Sequence, residues 1–247
     1  MLLQQKRHGI RLRKYYFQDT LASNITHYLT ATAYMNCYQA TKPKGFTTEY
    51  RHTLITDLKP SESEIFQNFP KDTRNQIRRC ERDHLFELNT NTNLLAFMQL
   101  YQRFAQARGL AMLKLADIQS LDPQHYQIFS ADYQGTPFIA HFYLVSPATH
   151  TVSLLLSASS PVKYTDDNLK QAMAHANRCL HWQGIRHFKK QGFTHYDWGG
   201  YALNTTDPTL QGINRFKKTF NGNLTPLYNH YSPLYVLIDK IRSIFKQ

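Results

Sequence analysis

Apolar positions change period along the chain, and the changes mark the elements. Ile10 to Phe17 and Ile25 to Tyr38 are rich in β-branched and aromatic residues and read as strand material. Lys42-Pro43-Lys44-Gly45 follows as a turn. Arg51 to Leu58 reads as a strand that Pro60 ends. Ser61-Glu62-Ser63-Glu64 then opens a helix, with Ser61 and Glu64 at the spacing of a capping box. After Pro70, Asp72 is placed to cap a second helix through Arg82, and Phe86 to Leu88 is a short strand. From Asn93 to Arg108, Leu94, Phe97, Met98, Tyr101, Phe104 and Ala105 recur at three- and four-residue spacing. That is the period of a helix with one buried face. Gly109 ends it.

Three strands follow in succession, Tyr126 to Tyr133, Pro137 to Val145 and Thr151 to Ser157. The connections Gln134-Gly135-Thr136 and Ser146 to His150 are short enough for an antiparallel meander. A long helix from Asp166 to about Lys190 carries Leu169, Met173, Ala176 and Leu180 on one stripe, and Gly192 closes it. Phe193 to Trp198 is a strand ending at Gly199-Gly200. Leu210 to Phe220 is a short helix, Asn223 to Tyr231 a last strand, and Leu234 to Phe245 an amphipathic terminal helix. This order implies a mixed sheet flanked by helices, α/β or α+β in class. The expected division is a strand-rich segment over 1–49, packed on a main domain over 50–247.

Composition narrows the classes. With 42% hydrophobic residues in 247, the chain has material for a core and is not disordered as a whole. The 29 Lys and Arg against 17 Asp and Glu give a formal net charge of +12, which attracts polyanions: nucleic acid, a phosphorylated carrier or cofactor, anionic lipid. Cys37, Cys80 and Cys179 are odd in number and far apart, so neither a disulfide framework nor a zinc motif follows, and a reducing compartment is expected. His8, Arg11, Arg13 and Lys14 interrupt any apolar run after Lys6-Arg7, which argues against a signal peptide. No stretch approaches the roughly 18–20 apolar residues of a membrane span.

Three segments carry a resemblance. They are Pro70 to His84 (PKDTRNQIRRCERDH), the meander DYQGTPFIAHFYLVSPATHTVSLLLSASS, and HYDWGG ending at Gly200, followed by GINRFKKTFNG over Gly212 to Gly222. In this order they resemble the FemAB-type transferases and their acyl-CoA-using relatives, over roughly residues 50 to 231. Departures are Cys80 where Ala is usual, Trp198 where Phe is, and Asn221 between Phe220 and Gly222. The resemblance implies a GNAT-like fold with a mainly antiparallel sheet that splays at its centre to admit an acyl donor. It implies that donor phosphates meet the Ser157-Ala158-Ser159-Ser160 turn, Lys163 and the start of the long helix, where unpaired N–H groups and the helix dipole favour anions. Lys217 matches the Phe-Lys position of the family's last helix. Family members often hold two such domains, and this chain has length for one. Gln106 to Ala111 also fits a Q-x-x-G-x-A coenzyme A loop, but those residues close a helix rather than open one, so Gly109 reads as a cap.

Amide formation by direct attack needs a neutral amine, a proton acceptor, donors for the oxyanion and a proton for the leaving group. Asp197, at the end of a strand before Gly199-Gly200, is the first candidate acceptor; the alternative is a carboxylate that holds the loop. His195 and Tyr201 are further catalytic candidates, with structural roles as their alternatives. Arg74 and Arg78 share a helix face and suit a substrate phosphate, or form a solvated basic face. His175 and Cys179 invite a zinc reading, but His181 and His187 scatter around the helix, so no metal is expected. The terminal helix is expected to dock on the core, with an anionic membrane surface as the alternative.

The sequence reading is therefore an N-acyltransferase with no tightly bound cofactor. Its co-substrate is an acyl-CoA or acyl carrier protein, and its acceptor an amine on an amino sugar or cell-envelope precursor. The alternatives are an aminoacyl-tRNA-dependent transferase of peptidoglycan type, for which tRNA is the partner, and a non-catalytic basic module binding nucleic acid or anionic lipid through Arg74, Arg78, Arg79 and Arg82. The expected location is the cytoplasm, with peripheral contact at the inner face of the membrane.

Overall fold

A computed structural model describes residues 2–7, 10–18, 29–113, 118, 121–161 and 167–244. Among these residues ten strands form one sheet: β1 (Leu2–Arg7), β2 (Ile10–Tyr16), β3 (Ala31–Cys37), β4 (Thr47–Asp57), β5 (Glu87–Asn89), β6 (Tyr126–Tyr133), β7 (Thr136–Ser146), β8 (Thr151–Ser159), β9 (His195–Asp197) and β10 (Asn223–Tyr231). Their spatial order is β1-β2-β3-β10-β4-β9-β8-β7-β6-β5. Only β2–β3 and β8–β9 pair parallel; every other neighbour is antiparallel. The helices are α1 (Glu62–Gln67), α2 (Lys71–Asp83), α3 (Leu94–Arg108), α4 (Asp167–Lys190), α5 (Pro208–Lys218) and α6 (Pro233–Ile244). The class is the mixed α/β one expected, and β3 joins the N-terminal segment to the same sheet through β10.

Local chemistry explains most boundaries. At α1 the Ser61 hydroxyl accepts from the Glu64 amide while the Glu64 carboxylate accepts from the Ser61 amide, so both halves of the capping box are made. α2 starts two residues earlier than expected. Pro70 is its N-cap, and Asp72 lies inside the first turn, where its charge faces the positive end of the helix dipole. At the end of α3 the Leu110 amide donates to the Ala105 carbonyl and Gly109 to Gln106, with Gly109 left-handed at φ 62°. That Schellman end closes the helix. The same device ends α4, where Gly192 donates to Lys189 and Phe193 to Phe188. Phe193 is spent on that cap, so β9 is shorter than the strand expected from Phe193 and begins at His195. α5 sits two residues earlier than expected because Asp207 caps Thr209 and Leu210, with Pro208 in the first turn.

The core lies on both faces of the sheet, and β7 shows why. Ile139, Tyr143 and Val145 pack with α1, α2 and α4 around Trp182, Phe188, Trp198 and Phe220. The alternate residues Ala140, Phe142 and Leu144 pack under α3 with Phe97, Leu100 and Tyr101. A period of two along a strand buried on both sides produces this division. Cys37 and Cys179 are buried, Cys80 is half-buried, and all three are free thiols. α6 packs on β3, yet Leu237 and Ile241 stay exposed, so the stripe of the terminal helix is only partly covered. No helix of the described residues is long and apolar enough to cross a membrane.

Candidate functional site

The sheet comes apart at its centre. β9 is three residues long; it pairs with β8 over Thr151 to Ser153 and with β4 over Ile55 to Asp57. Past Asp197 the chain stays with β4, since the Trp198 amide donates to the Leu54 carbonyl and the Tyr201 amide to the His52 carbonyl. β8 continues alone through Leu154 to Ser159, with no strand among the described residues on that side. Its register against β7 slips between Phe142 and Tyr143, a bulge that bends the strand at the opening. The result is a cleft of about 820 Å³ between β8 and the β4 side, roofed by α4 and α5.

The apex of this wedge is built by Asp197 and Gly199. Asp197 is fully buried and accepts hydrogen bonds from the Thr53 hydroxyl, the Gly199 amide at 2.8 Å and the Tyr38 hydroxyl at 3.2 Å. Burial raises its pKa against the pull of those donors. Gly199 has φ 62°, and a Cβ there would lie closer than 3.0 Å to the Leu154 carbonyl oxygen. Glycine is therefore required where the departing chain brushes β8. The N-terminal segment takes part too: Tyr38 holds Asp197, and Asn36 lines the cleft.

Among the described residues four cations line the cleft, Arg51, Arg108, Arg178 and Lys217, and no Asp or Glu does. They come from β4, α3, α4 and α5. Arg178 lies 5.0 Å from the Phe216 ring centroid, and its Nε is buried without a hydrogen-bond partner among the described residues. Lys217 donates to the carbonyls of Gly199 and Gly200. Burial pulls its pKa down to about 8, with Asp197 opposing. Leu155 and Ile213 add exposed apolar surface to the lining.

Behind the cleft lies a buried polar network. His141 Nε2 is 2.9 Å from Asn177 Oδ1, and His141 Nδ1 is 3.1 Å from the Tyr143 hydroxyl. The Tyr143 and Tyr196 hydroxyls are 2.8 Å apart, and Tyr196 is 3.0 Å from His181 Nδ1. The His141 and His181 rings stack with centroids 4.0 Å apart. Burial lowers the pKa of His141 to about 4 and that of His181 well below its usual value, and it raises those of both tyrosines. Asn177 and His181 line the cleft.

The residues singled out in the sequence divide accordingly. Ser157, Ala158, Ser159 and Lys217 line the cleft, and Asp197 lies beneath it. Ser160 is buried and does not line the cleft; its amide donates to the Phe138 carbonyl at 2.7 Å. Lys163 lies outside the described residues. His195 is at the far end of β9, bonded to the Thr194 hydroxyl, and Tyr201 has the Lys218 ammonium over its ring; neither lines the cleft. Arg74 and Arg78 do not line the cleft. Arg74 Nη1 donates to the carbonyls of Gln67 and Phe69 at 2.5 and 2.9 Å, and Arg78 lies over the Phe66 ring at 5.3 Å. They staple α1 to α2, away from the cleft. No group of three or more His, Cys, Asp or Glu is placed to hold a metal among the described residues. The sequence reading missed Arg51, Arg108, Arg178, Asn177 and His141 with His181 as a pair.

No protein-family model matches the sequence, and no curated protein matches it. Solved structures do. The crystal structure of FemX is similar over 96% of this chain and 86% of that one, with a TM-score of 0.65 and 13% identity. The C-terminal domain of a putative lysylphosphatidylglycerol synthetase from Agrobacterium fabrum is similar over 93% and 80%, with a TM-score of 0.59 and 10% identity. The L-PGS structure from Bacillus licheniformis is similar over 82% and 68%, with a TM-score of 0.54 and 13% identity. The chain shares its mixed α/β fold with FemX and with the lysylphosphatidylglycerol synthetase domain.

Proposed function

We propose that the protein is an N-acyltransferase that binds its donor in the cleft between β8 and β4, and that an amine attacks the donor carbonyl there directly. The observation that carries this reading is the lining: a free strand edge beside four cations, with no carboxylate among the described residues. A phosphate-bearing donor, acyl-CoA or an acyl carrier protein, supplies the negative charge, and Arg178 and Lys217 take its phosphates. The unpaired N–H groups of Leu154 to Ser159 polarise the acyl carbonyl and stabilise the oxyanion. Leu155 and Ile213 receive the apolar part of the acyl group. The acceptor is an amine of an amino sugar or envelope precursor, and no cofactor is held tightly. The site belongs in the cytoplasm, near the inner face of the membrane.

A second reading takes the donor as an aminoacyl-tRNA. Two observations favour it: the net charge of +12 and the likeness to FemX and to a lysylphosphatidylglycerol synthetase domain. Thermal unfolding with coenzyme A, acyl-CoAs of increasing length, and deacylated and aminoacylated tRNA separates the two. A ligand at a hundred times its Kd stabilises by about 2.7 kcal/mol. A shift across the CoA series supports the first reading. A salt-sensitive shift with tRNA alone supports the second, and no shift with either counts against both.

A further inference from the structure

The buried network has a direction. Its four titratable groups are neutral, because burial disfavours the charged form of each. Each therefore carries one labile proton. Asn177 presents its carbonyl oxygen to His141 Nε2, so that nitrogen is the donor and His141 Nδ1 is bare. His141 Nδ1 then accepts from the Tyr143 hydroxyl. Tyr143, having given its proton, accepts from Tyr196. Tyr196, having given its own, accepts from His181 Nδ1. The chain leaves His181 Nε2 without a proton. That atom has no hydrogen-bond partner among the described residues, and His181 belongs to the lining of the cleft.

We propose that His181 is the proton acceptor of the transfer, held by this relay as the Nδ1–H tautomer with its Nε2 lone pair open to the cleft. Asn177, His141, Tyr143 and Tyr196 are positioning residues that set the tautomer. The inference rests on the transferase reading of the cleft. The amine nitrogen bonds to the acyl carbon and its proton passes to His181 Nε2. The tetrahedral intermediate then breaks its bond to the leaving sulfur or oxygen, which takes the proton back from the imidazolium. His181 ends neutral, and the products are the amide and the free carrier. The groups facing the ring fit a base that waits uncharged. Burial, the stacked His141, Lys217 and Arg178 disfavour a positive charge on the ring, and Trp198, Phe216 and Phe220 pack around it. Asp197, the carboxylate nearest the apex, has both oxygens committed to donors.

The test is nitrogen NMR of the full chain labelled at histidine, with His181→Gln assigning the signals. The expected spectrum has His181 neutral, protonated at Nδ1 and bare at Nε2, at pH 6. Protonation at Nε2, or an imidazolium at that pH, overturns the proposal. In the folded Tyr143→Phe variant, whose unfolding temperature is measured alongside, the relay is cut and His181 is expected to become a mixture of tautomers; an unchanged single tautomer overturns the relay. With a CoA thioester that stabilises the protein and a panel of amines, His181→Gln is expected to lower kcat by about 10²- to 10⁴-fold, with the CoA-induced thermal shift unchanged. Undiminished kcat overturns the role. A failure of every donor to bind counts against the transferase reading, while the tautomer stands or falls by the spectrum.

Discussion

Gly199→Ala adds one methyl group at the apex of the cleft and tests whether the sheet parts as described. Two costs follow from the geometry. The residue sits at φ 62°, where an L side chain costs about 1–2 kcal/mol. The new Cβ would also press on the Leu154 carbonyl oxygen, which belongs to a strand paired with Tyr143 on its other side. Gly199 cannot retreat freely, because its amide is bonded to Asp197 and its carbonyl to Lys217. Overpacking of this kind costs about 1–3 kcal/mol, so the total is about 2–5 kcal/mol. For a chain of this size each kcal/mol moves Tm by about 2–4 °C. The control is Gly109→Ala, which has the same φ of 62° and nothing within 4 Å of its Cβ, so it bears the conformational cost alone. Thermal unfolding followed by circular dichroism reads the difference. If Gly199→Ala unfolds no earlier than Gly109→Ala, the close approach of the two chains at the apex is refuted.

Other consequences are as direct. Lys217, with a pKa near 8, contributes its charge to anion binding below that pH and loses it above. Coenzyme A affinity is therefore expected to fall as pH rises through about 8, and Lys217→Arg, charged throughout, should flatten that profile in calorimetric titrations. Arg178→Gln removes a cation from the lining and should weaken coenzyme A binding and reduce its salt dependence, with little change in Tm. Arg74→Ala cuts two hydrogen bonds to the α1–α2 connection and should cost about 1–3 kcal/mol in denaturant unfolding. It should leave ligand binding unchanged, the opposite of a phosphate clamp.

What could be read from the chain alone was local. Ser61 and Glu64 form a capping box because that motif needs only four consecutive residues, and Gly109 and Gly192 end helices because a left-handed residue after a periodic run has that one use. The strand at β7 and the limits of β10 were legible for the same reason: strand composition and turn chemistry lie within a few residues. The motif order from Pro70 to Gly222 pointed to the fold, and the structural likenesses agree with it. The site was a different matter. Arg51, Arg108, Arg178 and Lys217 lie on four elements, and only the sheet's opening between β8 and β4 brings their charges to one space. Arg74 and Arg78 had the spacing of a phosphate clamp, but the packing of α1 against α2 sets them away from the cleft and ties Arg74 to the carbonyls of Gln67 and Phe69. His141 and His181 are forty residues apart, and each alone reads as an ordinary core histidine. Their stacking, the two tyrosines between them and the amide of Asn177 exist only once β7, β9 and α4 are packed. The direction of the protons, and with it the free nitrogen at the cleft, is a property of that packing, because a hydrogen bond is set by where its two partners stand and not by their distance along the chain.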